Sequence, residues 1–533
     1  MVYFPKLSNV KNKSKKAVYA FGGINKKNLY SFGELETSEN ISLLSYPALG
    51  GAPKKQSASL CITSPEDVIF SGGIISVKNK LLYYSKTTAP NSYITAYSVS
   101  EGKKEAACVG NYLVVYPDKA CCNLKTKTWK SLDATFSVSD QNSYYSSDYI
   151  RFRNYSDFTS FKNSFSEGDT IEIEGAVYAD NYRAEVVKKT LTVREIENST
   201  YKIFFDPNSF DVTSEKSGAI TTFKRTSPTL SHICGHGGRV WGISEEKEIK
   251  ASKYQNPFNF NFYDLSAADS YTLETSEPEP FTASYSMGDY VLFFKENMIY
   301  RITGTKPANF RTTKILGKGV KLGCERSLAQ KNGTVFYVGS DGVYACGGAE
   351  PKKISEEIGD LSDVERASGG FFGNVYYVSL KRNKKSETYG FDTEKGMWFK
   401  SGDDAISSMG ELGGELWYFK EDKTLFKFSS EAEREKNFSV TLREYDEREF
   451  NQKGFSKLYL KYNLEEGGYI KVETSVDFEP FKDAAVVSNS RKNLFEFGLF
   501  PNRGDNLRIR ISLFGGGELN GIMREYFSHG SAV

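Results

Sequence analysis

The sequence predicts an all-β protein. Aromatic residues make up 14% of the 533 residues, with 34 Tyr and 38 Phe against only 6 Met. Short runs of Val, Ile, Thr and Tyr recur between clusters of Gly, Asn and Asp, and these residue types favour strands and turns respectively. Because a chain of this length can bury several cores, we expect more than one domain.

One pattern recurs along the chain: a Gly or Asn turn, four or five apolar or aromatic residues, and a tight turn into a second short strand. Successive copies are separated by 32, 128, 50, 44, 41 and 41 residues, and apart from one outlier these spacings are near the period of a β-propeller blade. Each blade stacks between two neighbours, which explains strands that are almost continuously hydrophobic. The repeat therefore predicts a β-propeller of about seven blades, with a repetitive array of β-sandwiches as the alternative. The seven copies begin at Asn79, Asn111, Arg239, Asp289, Gly333, Asn374 and Glu415.

Individual units show the expected blade features. Residues 327–358 contain one blade in full, with Asn332-Gly333 and Asp341-Gly342 as hairpin turns. Two units end alike, in NLKTKTW at 123–129 and FDTEKGMW at 391–398. In both units we expect the turn to deliver the Trp of the outer strand onto the next blade.

The 128-residue spacing predicts an inserted domain at residues 133–225. It contains FSEGDTIEIEGA, YRAEVVKKTLTVREIE and TYKIFF, strands of period two that suit a small SH3-like β-barrel. Its Ser- and Tyr-rich start, at 137–158, favours a polar β-arm, with a contact surface as the alternative.

The pattern changes again after the charged stretch 429–437. Residues 438–533 alternate strictly, for example Leu458, Leu460 and Tyr462 against Lys457, Tyr459 and Lys461, as the strands of a sandwich do. We predict a C-terminal jelly-roll-like β-sandwich there, the N-terminal segment and first blades at 1–132, and the remaining blades at 226–430. The segments 21–23 and 56–76 are candidates for strands that close the ring, so six to eight blades are compatible with the sequence.

Neither the net charge nor the apolar segments of the chain indicate a binding partner. Lys plus Arg number 69 and Asp plus Glu number 67, so no net field draws the chain to nucleic acid or to an anionic membrane. We see neither an apolar leader nor a run of about 18 apolar residues, and expect a soluble chain without a membrane anchor. The seven scattered Cys form no CxxC pair, and we expect reduced, mostly buried thiols in a protein made in a cytoplasm.

Residues able to support catalysis are scarce, since the chain has only three histidines. His232, Cys234 and His236 would share one face of a strand and could bind zinc, but no fourth ligand is evident, and the strand and turn of a blade are the simpler interpretation. His529 stands apart near the C-terminus. We predict no enzyme, no catalytic, metal or cofactor-binding residues, and no cofactor.

Other motifs favour structural interpretations. GxSxG, HExxH and Walker patterns are missing, and GKGVKLG at 317–323 lacks the strand-loop-helix setting of a phosphate loop, so we interpret it as a loop between blades. FDTEKGMW resembles the Asp-box turn of sialidase-like propellers with one residue too many. Arg-Gly-Asp at 503–505 is interpreted as part of a turn rather than as an integrin ligand.

Several segments resemble a family of neck and tail proteins from phages and prophages of Gram-positive bacteria, which is often compared with the podovirus packaged-DNA stabilisation (tail hub) protein. These segments are residues 20–55, with Phe21-Gly22-Gly23 and Tyr46-Pro47; 239–264, with NPFNF at 256–260; 293–310 and 315–348; and 453–473 and 506–526. Phe260 stands where the family usually has Trp, a substitution that packing can absorb.

The resemblance implies a virion protein of the neck or tail, made in the bacterial host cytoplasm. It implies a ring, hexameric as in the hub protein, that closes the portal channel, retains packaged DNA and attaches tail parts. Implied partners are other copies of the chain, the portal and adaptor rings, tail fibre, spike or needle proteins, and DNA in the channel. The alternative is a glycan-binding or glycan-cleaving propeller, and cleavage would need a pair of acids at the mouth of the propeller.

Overall fold

The computed structural model describes residues 13–89, 92–178, 184–428, 433–488, 493–499 and 503–528. The chain divides into two compact units, one formed by Cys61–Gly319 and the other by Met1–Leu60 together with Val320–Val533. Strands dominate both units, and the described residues contain a single α-helix. The prediction of an all-β protein is confirmed.

The unit Cys61–Gly319 contains four sheets, each of four antiparallel strands in chain order, which we number repeat sheets 1 to 4. Sheet 1 comprises Asp67–Phe70, Ile74–Lys78, Leu81–Ser85 and Ile94–Ser98; sheet 2, Glu105–Val109, Tyr112–Tyr116, Ala120–Asn123 and Thr128–Ser131; sheet 3, Leu230–His236, Arg239–Ser244, Ile249–Ala251 and Tyr271–Leu273; sheet 4, Phe281–Ser286, Tyr290–Lys295, Met298–Thr303 and Arg311–Leu316. A 3-10 turn, Pro307–Asn309, precedes the last strand.

These sheets stack face to face on apolar side chains. One cluster of buried residues lies between sheets 1 and 2, another between sheets 2 and 3, and a third between sheets 3 and 4. The first strands of sheets 2, 3 and 4 also contact one another in succession. They are rich in small residues, such as Ala107, Gly235 and Ala283, which allow the strands to approach closely.

The first copy of the repeat falls on a different strand from the others. The segment that begins at Asn79 forms the third strand of sheet 1, whereas the copies at Asn111, Arg239 and Asp289 form second strands. The second strand of sheet 1 is Ile74–Lys78, which is equally apolar and buried. This difference explains the short first spacing of 32 residues.

The inserted segment forms two sheets around a core of its own. The first sheet contains, in order, Ala134–Val138, Thr221–Arg225, Thr170–Tyr178 and Ala184–Thr192; the second contains Glu195–Glu197, Lys202–Phe204, Tyr149–Phe152, Ser143–Tyr145 and Lys216–Ser217. The segment 137–158, expected to form a polar β-arm, supplies the strands Ser143–Tyr145 and Tyr149–Phe152, and a helix, Tyr155–Ser164, begins near its end. The side chain of Asn154 caps this helix by accepting a hydrogen bond from Asp157 N, and Phe158 and Phe161 are buried in the core.

The other unit contains three further sheets of the same kind, repeat sheets 5 to 7. Sheet 5 comprises Ala329–Lys331, Thr334–Val338, Val343–Cys346 and Lys352–Lys353; sheet 6, Arg366–Phe372, Val375–Arg382, Lys385–Asp392 and Met397–Gly402; sheet 7, Ile406–Leu412, Glu415–Lys420, Leu425–Phe428 and, from near the N-terminus, Lys55–Ala58. Asn332 and Gly333 have φ of 50° and 75°, the left-handed pair that a two-residue hairpin turn requires. Short 3-10 turns lie at Glu325–Ser327 and Glu356–Ile358.

The same unit contains two larger sheets built from both ends of the chain. Terminal sheet I has the strand order Ile41–Ser42, Leu49–Gly51, Gly517–Ser528, Lys453–Leu464 and Leu494–Gly498. Two further strands join it, since Ser14–Val18 pairs with Gly517–Ser528 and Arg503–Gly504 pairs with Lys453–Leu464. Terminal sheet II has the strand order Leu35–Glu39, Phe438–Leu442, Leu507–Phe514, Tyr469–Val476 and Lys482–Val487. A 3-10 turn lies at Leu43–Ser45. Residues 14–51, which we had grouped with the first blades, thus pair with the C-terminal strands.

The predicted alternation is present in these terminal strands. Leu458, Leu460 and Tyr462 are buried, while Lys461 is exposed. Tyr459 departs from the pattern and is also buried, because the N-terminal strand covers it and the ammonium group of Lys15 lies 5.1 Å from the centre of its ring. The charged stretch 429–437 falls partly outside the described residues.

The two Trp-bearing turns are built alike. In the first, Asn123 Oδ1 accepts hydrogen bonds from the backbone N–H groups of the residues two and three positions later, and in the second Asp392 Oδ1 does the same. The tryptophan follows six positions after the capping residue in both cases. Trp129 packs on Tyr97 of sheet 1, and Trp398 Nε1 donates to Ile354 O beside sheet 5. Both rings therefore contact the preceding sheet and not, as we expected, the next one.

Candidate binding cleft beside the inserted module

A cleft of about 590 Å³ lies in the unit Cys61–Gly319, where the inserted module meets repeat sheets 2 and 3. Its walls come from three parts of the chain that are far apart in sequence. We call it the junction cleft, and it is lined by Tyr112, Cys121, Asn123, Thr126, Thr128, Lys130, Ser164, Ser166, Glu167, Asp169, Arg225, Gln255, Asn256 and Phe258.

Repeat sheet 2 supplies the first wall. Tyr112 pairs with Asn123 and Asn123 pairs with Thr128, so the three side chains stand side by side across three strands. Lys130 follows Thr128 by two residues and therefore faces the same way, whereas Trp129 points to the opposite face of the sheet. Burial raises the pKa of the Tyr112 phenol above its ordinary value.

The inserted module supplies the floor and the second wall. Arg225 and Asp169 form an ion pair whose side chains are 6% and 3% exposed. Arg225 Nε also donates to Leu132 O, at 3.0 Å, and its guanidinium lies 4.8 Å from the centre of the Phe258 ring. Asp169 Oδ2 accepts a further hydrogen bond from Ser166 N, at 3.0 Å. The buried charges are therefore paired and hydrogen-bonded, as such burial requires.

The C-terminus of the helix Tyr155–Ser164 ends against this wall. Backbone carbonyls at a helix C-terminus lack partners within the helix and carry partial negative charge. Lys130 Nζ donates to Asn163 O at 2.8 Å, and Arg225 Nη1 donates to Ser164 O at 3.1 Å. Two cations, one from sheet 2 and one from the module itself, thus satisfy the last carbonyls of the helix.

The third wall is the excursion at residues 252–270, between the third and fourth strands of sheet 3. Asn256 Oδ1 accepts from Phe258 N at 2.9 Å, and Gln255 N donates to Gly238 O at 2.7 Å. The NPFNF segment, singled out by its family resemblance, starts here. Phe258 meets Tyr112 edge to face, with ring centroids 5.7 Å apart.

Further bonds fasten the inserted module to this excursion. Lys253 Nζ and Asn259 Nδ2 both donate to Gly168 O, at 3.1 and 3.0 Å, and burial lowers the pKa of Lys253. Arg194 pairs with both Asp206 and Asp264, and its hydrogen bonds to these carboxylates raise its pKa. Together with the two strand connections at 134 and 225, these contacts hold the module in one orientation on sheets 2 and 3.

The histidines singled out by sequence do not gather at this cleft. His232 has φ of 50°, and the pairing of its strand shifts between Ser231 and Cys234. As a result His232 Nδ1 lies 3.9 Å from Glu105 Oε1, towards sheet 2, whereas His236 Nδ1 is 3.0 Å from Ser286 Oγ, towards sheet 4.

Burial raises the pKa of the Cys234 thiol and lowers that of His236. Across the part of the chain that the structure describes, three or more His, Cys, Asp or Glu side chains nowhere gather as metal ligands. His529 lies outside the described residues.

The other motifs have packing roles. In GKGVKLG, Gly319 lies so close to the end of the strand Tyr290–Lys295 that a Cβ would be 2.1 Å from Lys295 O. In Arg-Gly-Asp, Arg503 and Gly504 form a short strand, and the N–H of Asp505 donates to Asp477 Oδ1. Among the described helices none is both long and apolar enough to cross a bilayer.

Sequence reasoning did not identify the residues of the junction cleft as a group. Asp169, Arg225 and Lys130 lie in unrelated local patterns, and only NPFNF carried a signal, through its resemblance. One clue was available: Arg225 is the last residue of the inserted segment, where the chain re-enters the repeat.

No protein-family model matches the chain, and neither does any curated protein sequence. Solved structures similar to it include BamB from Moraxella catarrhalis, with 9% identity, a TM-score of 0.36 and coverage of 72% of this chain and 99% of that one. Kluyveromyces lactis Hsv2 follows, with 9% identity, a TM-score of 0.27 and coverage of 64% and 98%. An exo-beta-1,3-galactanase from Phanerochaete chrysosporium has 9% identity, a TM-score of 0.22 and coverage of 54% and 92%. Likenesses at this level carry no argument about the function of the chain.

Proposed function

We propose that the protein is a structural component of a tailed-phage virion, a neck or tail hub subunit built on a β-propeller of seven blades. In this proposal the repeat sheets are the blades, the inserted module is a small SH3-like barrel, and the terminal sheets form a jelly-roll-like sandwich. The subunits form a ring, hexameric by analogy with the hub protein, beneath the portal and its adaptor. The ring closes the channel, retains packaged DNA and carries fibre, spike or needle proteins.

The repeat sheets support the propeller part of the proposal. Blades of a propeller have four antiparallel strands in chain order and stack through apolar faces, with the first strands closest to the axis. Repeat sheets 1 to 4 stack in this way within one unit, and the first strands of sheets 5, 6 and 7 contact one another in succession in the other. The fourth strand of sheet 7 comes from Lys55–Ala58, so it ties a segment near the N-terminus to the last repeat.

The observation that carries the structural role is the rigid mounting of the inserted module. The module is held on sheets 2 and 3 by Lys130 at its helix end, by Lys253 and Asn259 at Gly168 O, and by the ion pair of Arg194 with Asp264, and these contacts give it a fixed direction. Fixed geometry is what a protein requires if it repeats around a ring and must meet a neighbour at the same angle each time. The resemblance of the NPFNF segment to the phage family lies in this same region.

Particle association tests the proposal. Virions that encode this chain would be purified on a density gradient, and their proteins would be identified by mass spectrometry, while the solution mass of the isolated protein would be measured by light scattering. We expect the chain in intact particles at several copies per particle, and a multi-subunit ring in solution or on the particle. A chain that stays monomeric and is missing from purified particles contradicts the proposal.

A further inference from the structure

The junction cleft has the lining of a site for a neutral, hydroxyl-rich ligand. Side-chain amides and hydroxyls dominate its walls, and each of these groups can both donate and accept hydrogen bonds. A volume of about 590 Å³ lies within the range of small-ligand sites, roughly 300–1,000 Å³. The amide and hydroxyl residues are Tyr112, Asn123, Thr126, Thr128, Ser164, Ser166, Gln255 and Asn256.

The charges of the cleft balance. Two basic residues, Lys130 and Arg225, face two acidic ones, Glu167 and Asp169. Arg225 and Asp169 neutralise each other in the floor, and Lys130 is bonded to a helix-end carbonyl. A polyanionic ligand would therefore gain little here, because attraction by the cations would be offset by the carboxylates.

Two amides are oriented before any ligand arrives. Asn123 Oδ1 is occupied by two backbone N–H groups of its own turn, and Asn256 Oδ1 by Phe258 N. The geometry of each turn therefore fixes the direction of the Nδ2 donor. Asn256 Nδ2 lies 3.4 Å from Asp169 Oδ1, which is a weak contact that a better acceptor can replace. Donors fixed in advance lower the entropic cost of binding.

An apolar strip completes the cleft. Tyr112 and Phe258, both half-buried, meet edge to face between the first and third walls. A sugar ring combines a hydroxyl-bearing rim with a face of C–H groups, and an aromatic side chain covers such a face while its polar neighbours bind the rim. Amides, hydroxyls, balanced charge and aromatic rings together suit a short saccharide better than a peptide of fixed charge or an apolar ligand.

We propose that the junction cleft binds a neutral oligosaccharide of about two to four sugar units and does not cleave it. Glycoside hydrolysis uses two carboxyl groups with separate roles. Of the two carboxylates in the cleft, Asp169 is held by Arg225 and Ser166 N, which leaves Glu167 without a second acid to act with. This inference goes beyond the structural role proposed above and does not depend on it.

Binding is tested on an array of neutral and anionic oligosaccharides with the full-length protein. The neutral trisaccharide bound best on the array is then titrated calorimetrically against wild type and Asn123→Asp. The substitution keeps the Oδ1 that caps the turn but replaces the Nδ2 donor by an acceptor. We expect the affinity to fall about tenfold, the value of one hydrogen bond of roughly 1.4 kcal/mol. The matched control is Asn332→Asp, in a turn of repeat sheet 5, which should bind like wild type.

The outcomes separate clearly. Binding to neutral oligosaccharides that weakens in Asn123→Asp, with unchanged thermal stability and with no shortened sugars after prolonged incubation, supports the inference. Binding to none of the neutral oligosaccharides, binding to anionic ones alone, or equal affinity of Asn123→Asp and wild type overturns it. Presence of the chain in virions is measured separately, so failure of one proposal leaves the other standing.

Discussion

The close approach of repeat sheets 2 and 3 can be tested at a single glycine. Gly235 lies in the first strand of sheet 3, and a Cβ added there would be 2.1 Å from Cys108 O and 3.1 Å from Cys108 C in the first strand of sheet 2. Ordinary van der Waals contact begins near 3.4 Å. Gly235→Ala therefore forces the two backbones apart by about 1 Å, and neither can yield as a flexible side chain would.

The expected cost follows from overpacking. Enlarging a residue in a packed interior costs about 1–3 kcal/mol, and replacement of Gly by Ala recovers about 0.4–1 kcal/mol by restricting the unfolded chain. Subtracting the recovered free energy from the cost leaves a net destabilisation of about 1 kcal/mol. For a cooperative unit of the size of Cys61–Gly319, this corresponds to an apparent melting temperature lower by about 2–4 °C.

The assay is thermal unfolding followed by circular dichroism, with amide hydrogen exchange on strands Glu105–Val109 and Leu230–His236. The matched control is Gly288→Ala in repeat sheet 4, where an added Cβ meets nothing within 4 Å, so it should melt at the wild-type temperature or up to about 4 °C above it. Exchange should accelerate in both first strands of Gly235→Ala. Equal melting of Gly235→Ala and wild type would refute the close stacking of the first strands of sheets 2 and 3.

Three further predictions concern the inserted module and the terminal sheets. Deletion of residues 134–225 should leave the repeat sheets folded, because Ala134 and Arg225 are paired neighbours and a short Gly-Ser linker can join the ends. The same deletion should abolish assembly into particles. Circular dichroism checks the folding and particle reconstitution checks the assembly, and normal assembly would show that the module has no connector role. Arg225→Met should lower the free energy of unfolding by about 3–5 kcal/mol, because it leaves Asp169 buried without its cation. In urea unfolding, Arg225→Met/Asp169→Leu should recover at least half of this loss. An equal loss of stability in both variants would contradict the importance of the ion pair. The hydrogen bond from Lys13 lowers the pKa of Glu525 to about 2, so the stabilisation from Glu525 is present above its unfolded pKa of about 4.3 and is lost as the pH falls towards 2. Glu525→Gln should flatten acid unfolding between about pH 4 and pH 2, and an unchanged profile would exclude the ion pair as its cause.

Local patterns predicted much of the fold. The second strands of repeat sheets 2 to 7 lie at copies of the repeat, because a strand buried on both faces is apolar throughout and bounded by turns. The inserted segment followed from one long spacing. The alternation in Leu507–Phe514, where every second residue is buried, follows from one face being covered and the other half-exposed.

Features that depend on distant pairing were not predictable in the same way. Lys55–Ala58 overlaps the segment 56–76 that we expected to supply a closing strand, but its four residues are polar and do not indicate Leu425–Phe428 as the partner. The sequence of residues 14–51 likewise does not indicate that its strands pair with C-terminal strands. The tryptophans were expected on the wrong neighbour, since sequence does not tell which face of a sheet meets the preceding one and which meets the next.

The helix in the inserted module left a signal that was overlooked. Asn154 precedes Asp157 in the first turn, and Phe158, Phe161 and Phe165 recur at helical spacing, but the abundance of Tyr and Ser favoured an arm. The junction cleft differs, because its walls come from residues 112–130, 164–169, 225 and 255–258. Only folding brings them together, so no window of sequence could indicate the site.

The proposed place of the chain in a virion ring is tested by a cryo-electron microscopy reconstruction of the neck and tail of purified particles, at a resolution that allows strands to be traced. We expect copies of this chain arranged in a ring, each with seven four-stranded sheets around one axis and the inserted module against a neighbouring subunit or the adaptor. Particles whose neck and tail densities are fully assigned to other chains, or a chain whose repeat sheets form an open array, would contradict this expectation.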